Sequence, residues 1–480
     1  MSLMTRWSHC ILCLLLFIQS TCAQKGFVSL QCCADSEVTD PNSNITWITD
    51  ENWYPDKLNC QQIKRAAQND TLYDKARFFP SQLGTKWCYN LTAEKDQDYL
   101  IRGTFLFGDL QNTAPGSFDV LVGVTQIGLV NSSAPSEVEG ILKATNNHFN
   151  FCLSTKKGEP YISKLELRPV NSDYLEREPS SVLKVIDRVD VGNTGQEIRY
   201  PHDPYDRIWR PELNPDQNAT PTSSSSANTT ITSANLTVPP IQVLQTALIH
   251  PERLEFLHND LDTGYHEYDL FLYFLELNDS AQVTQRVFDI YINNEKRREI
   301  DILAGGSNSY AVVLNFTANG FLNLTMVKAS NGSQLGPICN AYEILQVHPW
   351  LQETVQRDVD VIGDVRRELL ERNQDNEVLK SWSGDPCLPL PWQGLFCEPI
   401  NGSTVISKLN MSNNGFTGTI PLFPASSALI SVDLSHNDLL GKIPESLTSL
   451  PYLKTLYVGC NPHLSKELPE SFNRSRLKTE

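Results

Sequence analysis

The residues in this sequence whose spacing points to chemistry are, first, asparagines placed to accept N-linked glycans. Fourteen of them begin an Asn-X-Ser/Thr triplet: Asn44, Asn69, Asn90, Asn131, Asn218, Asn228, Asn235, Asn278, Asn315, Asn323, Asn331, Asn401, Asn410 and Asn473. One such triplet alone is weak evidence. Fourteen spread along a chain that also begins with an export signal predict a glycoprotein of the cell exterior, although buried or crowded triplets would stay unused.

The cysteines indicate disulfide chemistry. Nine follow residue 23: Cys32, Cys33, Cys60, Cys88, Cys152, Cys339, Cys387, Cys397 and Cys460. In an oxidising compartment most should be paired, and an odd number leaves at least one thiol without an internal partner. Cys387 and Cys397 would close a short loop and contribute about 2–3 kcal/mol to stability. Beyond residue 23 no C-x-x-C pair or zinc-finger histidine spacing occurs, so we expect no metal site.

Catalytic motifs are missing from the sequence. The 56 acidic residues include no pair in a recognisable glycosidase context, and no G-x-S-x-G nucleophile turn occurs. The G-x-G-x-x-G loop, V-A-I-K lysine and H-R-D segment of a protein kinase are missing as well. We therefore expect a chain that is not an enzyme and holds no cofactor. Its net charge of −17 argues against binding to nucleic acid.

The first 23 residues predict a secretory signal peptide. Arg6 precedes the apolar run 11–18, and small residues at Thr21 and Ala23 form a cleavage site. The run is shorter than the roughly 20 residues of a membrane span, and no later stretch is apolar enough to cross a bilayer. We expect either a secreted product in the apoplast or a truncated relative of a plasma-membrane receptor.

Residues 24–349 alternate apolar and polar side chains with the period of two that a half-buried strand requires. β-Branched and aromatic residues dominate these segments, and Gly, Asn and Pro separate them. The clearest examples are 99–107, 117–124, 270–277 and 287–292. Many short strands in this arrangement predict a mostly β fold built from antiparallel sandwiches.

This strand-rich region repeats loosely, which predicts two tandem sandwiches at 24–195 and 196–349. The segments that correspond are 98–105 with 268–274, and 162–167 with 340–345. A Ser/Thr-rich segment, 219–237, interrupts the second half. It has almost no apolar content to offset the entropy of ordering, so we predict an exposed glycosylated loop.

A short leucine-rich-repeat solenoid is predicted for residues 405–480. Gly418 and Gly441 are 23 residues apart, as are Pro421 and Pro444, and a weaker third copy follows. So few repeats need a cap, because each unit buries its apolar face only against a neighbour.

Residues 350–404 are predicted to form a linker helix and the N-terminal cap of that solenoid. Apolar residues fall at helical spacing within 352–381. Trp382 and Trp392 would cover the open end of the repeat core. Between them lies the motif Gly384, Asp385, Pro386 and Cys387. A structural cap is the first interpretation of this motif, and a signalling hinge is compatible with it.

Long motifs in the first two regions resemble the plant malectin-like domain. They are 99–105, 160–169, 200–209, 287–293 and 340–344. With the Gly384–Cys387 motif and the repeats, the whole mature chain resembles the ectodomains of the receptor-like kinases of root symbiosis. The resemblance implies a ligand-binding region for nodulation and mycorrhizal signalling, with an extracellular protein, peptide or co-receptor as partner. Malectin itself binds sugars, so a cell-wall lectin is the alternative.

The sequence departs from that family in two ways. Full-length members continue into a membrane span and a Ser/Thr kinase that this sequence does not contain, and its repeat segment looks about one unit shorter. The family pattern implies that the partner of Cys460 lay just beyond the last residue. The other eight cysteines would then form four disulfides.

Overall fold

The structure is a computed structural model of the chain. It describes residues 24–55, 57, 59–63, 75–80, 84–107, 116–171, 174–176, 180–212, 219–224, 238–330, 332–465, 467–470 and 478–479. The predicted signal peptide and most of the Ser/Thr-rich segment lie outside these residues. So do six of the sequon asparagines: Asn69, Asn218, Asn228, Asn235, Asn331 and Asn473.

Strands dominate the fold, as the period-two pattern predicts. The first region contains β1 (Val28–Gln31), β2 (Val38–Thr39), β3 (Thr46–Thr49), β4 (Cys60–Gln62), β5 (Lys75–Phe78), β6 (Lys86–Thr92), β7 (Asp98–Phe105), β8 (Ser117–Val122), β9 (Thr125–Val130), β10 (Ser136–Lys143), β11 (His148–Lys157), β12 (Tyr161–Ile162), β13 (Lys164–Val170) and β14 (Ser181–Val191). The second contains β15 (Arg210–Glu212), β16 (Thr220–Ser223), β17 (Thr246–Ile249), β18 (Arg253–His258), β19 (His266–Leu275), β20 (Val287–Ile292), β21 (Glu295–Asp301), β22 (Ser309–Ala318), β23 (Leu322–Lys328), β24 (Ile338–Cys339) and β25 (Ala341–Pro349). The repeat region contains β26 (Leu395–Ile400), β27 (Ser403–Asn410), β28 (Thr417–Thr419), β29 (Ser431–Asp433), β30 (Asp438–Gly441), β31 (Thr455–Tyr457), β32 (His463–Leu464) and β33 (Lys478–Thr479).

Helices are few and short. The described residues form α-helices Ile241–Leu244, Gln356–Arg372, Glu377–Ser381 and Glu445–Thr448, and a 3-10 helix Ile302–Gly305. The longest one buries Ile362, Val365 and Leu369 on one face, at the spacing of a helical stripe. This face packs into the repeat core.

One mainly antiparallel sheet, with the parallel pairs β1–β3 and β14–β15, runs through both sandwich regions. Its strand order is β2-β3-β1-β13-β7-β10-β14-β25-β19-β22, with β15 beside β14. The equivalent pairs β7–β13 and β19–β25 correspond to the loose sequence repeat. β14 pairs with β10 on one side and β25 on the other, so backbone hydrogen bonds join the two halves. The mostly β sandwich prediction is confirmed, and β14 is the seam between the halves.

Each half closes its sandwich with a second, four-stranded sheet over its own core. The first is β6-β11-β8-β9 and the second is β18-β23-β20-β21. Aromatic side chains fill the first core, where the Phe118 ring lies 5.6 Å from Phe105 and 5.3 Å from Tyr161. In the second core the Phe274 and Phe288 rings lie 5.4 Å apart. All three pairs have the T-shaped geometry that ring quadrupoles favour.

The repeats form the predicted solenoid. The inner strands β27, β29 and β31 pair in parallel, with Leu409, Val432 and Leu456 in register across them. The amide of Asn437 donates to the carbonyl oxygens of Met411 and Leu434, at 3.0 Å each. These bonds satisfy backbone groups that a turn would otherwise leave unpaired, which is why Asn recurs at this position.

The expectation of four disulfides is wrong. The structure contains three: Cys33–Cys60, Cys88–Cys152 and Cys387–Cys397. Cys32 is buried in the first core and Cys339 in the second, so these two thiols cannot meet. Cys460 is free and exposed.

Thiol counting tests this arrangement. We expect one thiol per mature chain to react with an aromatic disulfide reagent in native buffer, since Cys460 is the exposed one. Three should react in denaturant, when Cys32 and Cys339 become accessible. Burial raises the pKa of both core thiols, which slows their reaction further. One reactive thiol in denaturant would instead show that a fourth disulfide exists.

Candidate functional site at the junction of sandwich and repeat cap

The motif Gly384–Cys387 lies where the repeat cap meets the first sandwich. Gly384 has a φ of +67°, and a Cβ placed there would lie 2.4 Å from the Sγ of Cys88 and 3.0 Å from that of Cys152. These two cysteines form the disulfide that joins β6 to β11. Glycine is required here both for the left-handed backbone and for this close approach.

Asp385 ties the linker to the cap loop. Its carboxylate is buried and accepts hydrogen bonds from the backbone N–H and the hydroxyl of Thr354, at 2.7 and 2.6 Å. It also accepts from the N–H groups of Cys387 and Leu388, at 2.8 Å each. Four donors satisfy the buried carboxylate, so the loop is held in one conformation.

Lys86 reaches the same loop from the first sandwich. Its ammonium group, on β6, donates to the carbonyl oxygens of Asp385, Leu388 and Leu390 at 2.5, 2.6 and 3.2 Å. Burial lowers its pKa to about 8, so the side chain is charged at neutral and acidic pH. The cap is therefore fastened to the sandwich by one cation and three carbonyl dipoles.

Two tryptophans and a disulfide complete the cap. The Trp382 and Trp392 rings stack with centroids 5.1 Å apart. Their indole N–H groups donate to the carbonyl oxygens of Gln393 and Ser383, at 3.1 and 2.8 Å. The Cys387–Cys397 disulfide closes the loop that contains Trp392. The predicted cap thus covers the first repeat and contacts the sandwich through its other side.

The junction provides a test at Lys86. We expect Lys86→Met to lower the free energy of unfolding by about 1.5–3 kcal/mol, because hydrogen bonds to a charged group are lost and buried carbonyls remain. Denaturant titration of the purified protein measures this loss of free energy of unfolding. The control is Lys143→Met. Lys143 pairs with Asp98 at 2.8 Å, but its side chain is more exposed than that of Lys86. We expect this variant to lose less than about 1 kcal/mol of unfolding free energy. Equal losses in both variants would show that Lys86 does not fasten the cap.

A second polar cluster, the seam network, crosses β14. Arg188 donates to Glu139 of β10 at 2.7 Å and to Glu343 of β25 at 2.6 Å, and all three side chains are buried. Burial alone would raise the pKa of Glu139, but Arg102 and Arg188 outweigh it and lower this pKa to about 2. The charges on facing strands therefore hold the two halves in register.

The motif 200–209, which carries part of the family resemblance, covers this network. Asp206 accepts from Arg168 at 2.8 Å and from Arg199 at 2.7 Å. Arg207 pairs with Asp203 at 2.8 Å, and the Trp209 indole donates to the same carboxylate. The acidic and basic residues of this loop are therefore paired within the fold, beside the seam network.

The cap motif can be recognised in the sequence, but the roles of Lys86, Thr354 and the seam network cannot. Lys86 and Asp385 are almost 300 positions apart, so no local pattern links them. Arg102 did carry a signal. It is a charged residue between Ile101 and Gly103 inside a strand, and such a residue needs a buried partner.

The sequons of the described part are accessible with one exception. Exposed asparagines are Asn44, Asn90, Asn131, Asn278, Asn315, Asn401 and Asn410, whereas Asn323 is half-buried. Its side chain donates to Glu255 at 2.6 Å. Glycosylation of these sites remains a prediction.

Comparison with known proteins agrees with this geometry. The malectin-like domain family matches residues 30–347, and the leucine-rich-repeat family matches residues 428–450. The chain is 48% identical to the nodulation receptor kinase of Pisum sativum, over 98% of this chain and 53% of that protein. It is 29% identical to a probable receptor-like Ser/Thr kinase of Arabidopsis thaliana, over 92% and 49%. The chain thus spans about half the length of the curated relatives it matches.

Solved structures share the sandwich fold. The ANX2 ectodomain of Arabidopsis thaliana superposes with a TM-score of 0.58 at 18% identity, covering 67% of this chain and 96% of that one. A complex of the plant peptide RALF23 with FER and LLG2 gives a TM-score of 0.55 at 19% identity, covering 67% and 95%.

The fold and these relatives together define the class: an ectodomain of the receptor-kinase type, which lies outside the cell or at the plasma membrane. The chain belongs to the malectin-like domain family. Within the described residues, no helix has the length and apolarity needed to cross a bilayer.

Proposed function

We propose that this chain is the extracellular recognition region of a receptor kinase of root symbiosis, acting in nodulation and in arbuscular mycorrhiza. The observation that carries the proposal is the 48% identity to the pea nodulation receptor kinase across 98% of this chain. The matched region spans the sandwiches, the junction and the repeats together.

Its role in this proposal is binding rather than catalysis. The two families that match are recognition modules, and the buried carboxylates described here are paired with guanidinium or backbone groups. The partner is an extracellular protein, peptide or co-receptor. The complex of RALF23 with FER and LLG2 is one example of a chain with this fold assembled with a peptide and a further protein.

Ectodomain exchange tests the proposal. The pea receptor, with its own ectodomain replaced by this chain, is expressed in roots of a nodulation-defective pea line. We expect nodules to form on inoculation, as they do with the intact pea receptor. Normal accumulation of the hybrid at the plasma membrane without nodules would contradict the proposed function.

The alternative, a sugar-binding role at the cell wall, has less support in the structure. Lectins stack sugar rings on exposed aromatic side chains. In the described part of the sandwiches, the strongly exposed aromatic side chains are Tyr265 and Phe321. We therefore expect no binding above background on an oligosaccharide array. Saturable binding that is lost in Tyr265→Ala would favour the lectin instead.

A further inference from the structure

β9 is an open edge of the first sandwich. It pairs with β8 along its length, and the sheet ends there. Along its other side lies a cleft of about 440 Å³, lined by the five consecutive residues 125–129. Successive side chains of a strand point to opposite faces, so a cavity touching five in a row runs along the strand edge. Among the described residues, no backbone group pairs with this side of β9.

Compared with the other described edge strands of four or more residues, β9 has fewer of the features that prevent pairing with another chain. Natural edge strands carry charges, prolines or covering groups that prevent pairing with another chain. Among described edge strands of four or more residues, β18 and β21 carry several charges, β16 and β26 contain proline, and β6 and β22 carry the sequons Asn90 and Asn315. β9, with the sequence TQIGLV, has no charge, proline or sequon, and its one irregularity is a bulge at Ile127 in its pairing with β8. The nearest sequon, Asn131, follows the strand and does not line the cleft.

The cleft beside β9 is lined by both apolar and polar side chains. Leu129 and Leu351 line it and are 45% and 51% exposed. Lys184 and Asp262 form an ion pair across it at 2.8 Å. The Nε2 of His348 is buried there without a hydrogen-bond partner in the described part of the chain. Burial and the charge of Lys184 lower the pKa of His348 to about 4, so its ring is neutral.

We infer that β9 binds an extended peptide segment of a partner protein by strand addition. The peptide backbone pairs with the free N–H and C=O groups of β9, and an aliphatic side chain enters between Leu129 and Leu351. A strand edge offers donors and acceptors at the spacing of another polypeptide. Sugar hydroxyls do not match that spacing, and the walls offer aliphatic rather than aromatic side chains. The inference specifies the recognition role proposed above, but direct binding tests it independently of the nodulation assay.

The test is selection from random heptapeptides displayed on phage, with the purified chain immobilised. We expect enriched peptides that alternate aliphatic and polar residues. The best one is synthesised twice, once unmodified and once with alternate backbone amides N-methylated. Fluorescence polarisation should show at least tenfold weaker binding for the methylated peptide, because its side chains are unchanged but donors are lost. Hydrogen exchange at residues 125–130 should slow when the unmodified peptide binds.

Two variants locate the binding site. Leu129→Lys places a charge on the exposed face of β9 and should weaken binding at least tenfold. Leu257→Lys is the matched control, because Leu257 is 54% exposed on the already charged edge strand β18; binding should be unchanged. Both side chains point to solvent, so melting temperatures should match the parent. The inference is overturned if no peptide is enriched, if the methylated peptide binds equally well, or if Leu129→Lys has no effect.

Discussion

Replacing Gly384 by alanine should loosen the repeat cap from the first sandwich and lower the free energy of unfolding by about 2–5 kcal/mol. About 1–2 kcal/mol comes from the left-handed backbone, which a Cβ disfavours. A further 1–3 kcal/mol or so comes from overpacking against the Cys88–Cys152 disulfide, where the new atom would lie 2.4 Å from the Sγ of Cys88. Guanidinium denaturation of the purified chain measures the loss.

The structure supplies a close control for this substitution. Gly415 has a φ of +66°, almost the same as Gly384, yet a Cβ there would meet nothing within 4 Å. Gly415→Ala therefore carries the backbone strain alone. The difference between the two variants isolates the packing of the junction. If both lose the same stability, the close approach to the disulfide does not hold the cap.

Replacing Arg188 by leucine should lower the free energy of unfolding by about 3–5 kcal/mol, because removing one partner of a buried ion pair leaves the other charge uncompensated. Here Glu343, at 2.6 Å, loses its guanidinium partner, and Glu139, at 2.7 Å, keeps only Arg102. They belong to strands on either side of β14, so the two halves should also separate more readily. Thermal unfolding and limited proteolysis between the halves report these two effects.

The cost of this variant should depend on pH. Glu139 has a folded-state pKa of about 2, below its ordinary value of 4.5, so its stabilisation is complete above pH 4.5 and is lost as the pH falls towards 2. The difference in free energy of unfolding between wild type and Arg188→Leu should therefore become smaller as the pH falls from 4.5 towards 2. Arg253→Leu is the control, since its ion pair with Glu255 is largely exposed and should be worth about 1 kcal/mol or less. A gap that is constant with pH would contradict the role of Glu139.

Much of the architecture could be predicted from the sequence because the responsible forces are local and periodic. Alternation in 99–107 and 287–292 specifies strands, and the 23-residue spacing of Gly418 and Gly441 specifies a solenoid unit. The Asn that recurs in each unit satisfies its own turn, as Asn437 does. The motif Gly384–Cys387 could be recognised for its cap composition, but not for the surface it contacts.

Disulfide pairing shows where such prediction ends. Cysteine number indicates how many thiols need partners, but a bond also requires the two Cβ atoms to approach to about 3.5–4.5 Å. Cys32 and Cys33 are adjacent in the chain, yet one is free in the core and the other is bonded to Cys60. That outcome depends on strand direction and register rather than on composition.

Fold class, repeat solenoid and cap could be inferred from the chain alone, since they depend on side-chain periodicity within short stretches. Contacts between distant residues became visible in the folded chain: Lys86 with the cap carbonyls, Arg188 with Glu139 and Glu343, and the open edge of β9 with its cleft. Buried charges and strand edges are satisfied by neighbours in space. Neighbours of that kind are set by how whole sheets pack, and sequence separation does not encode them.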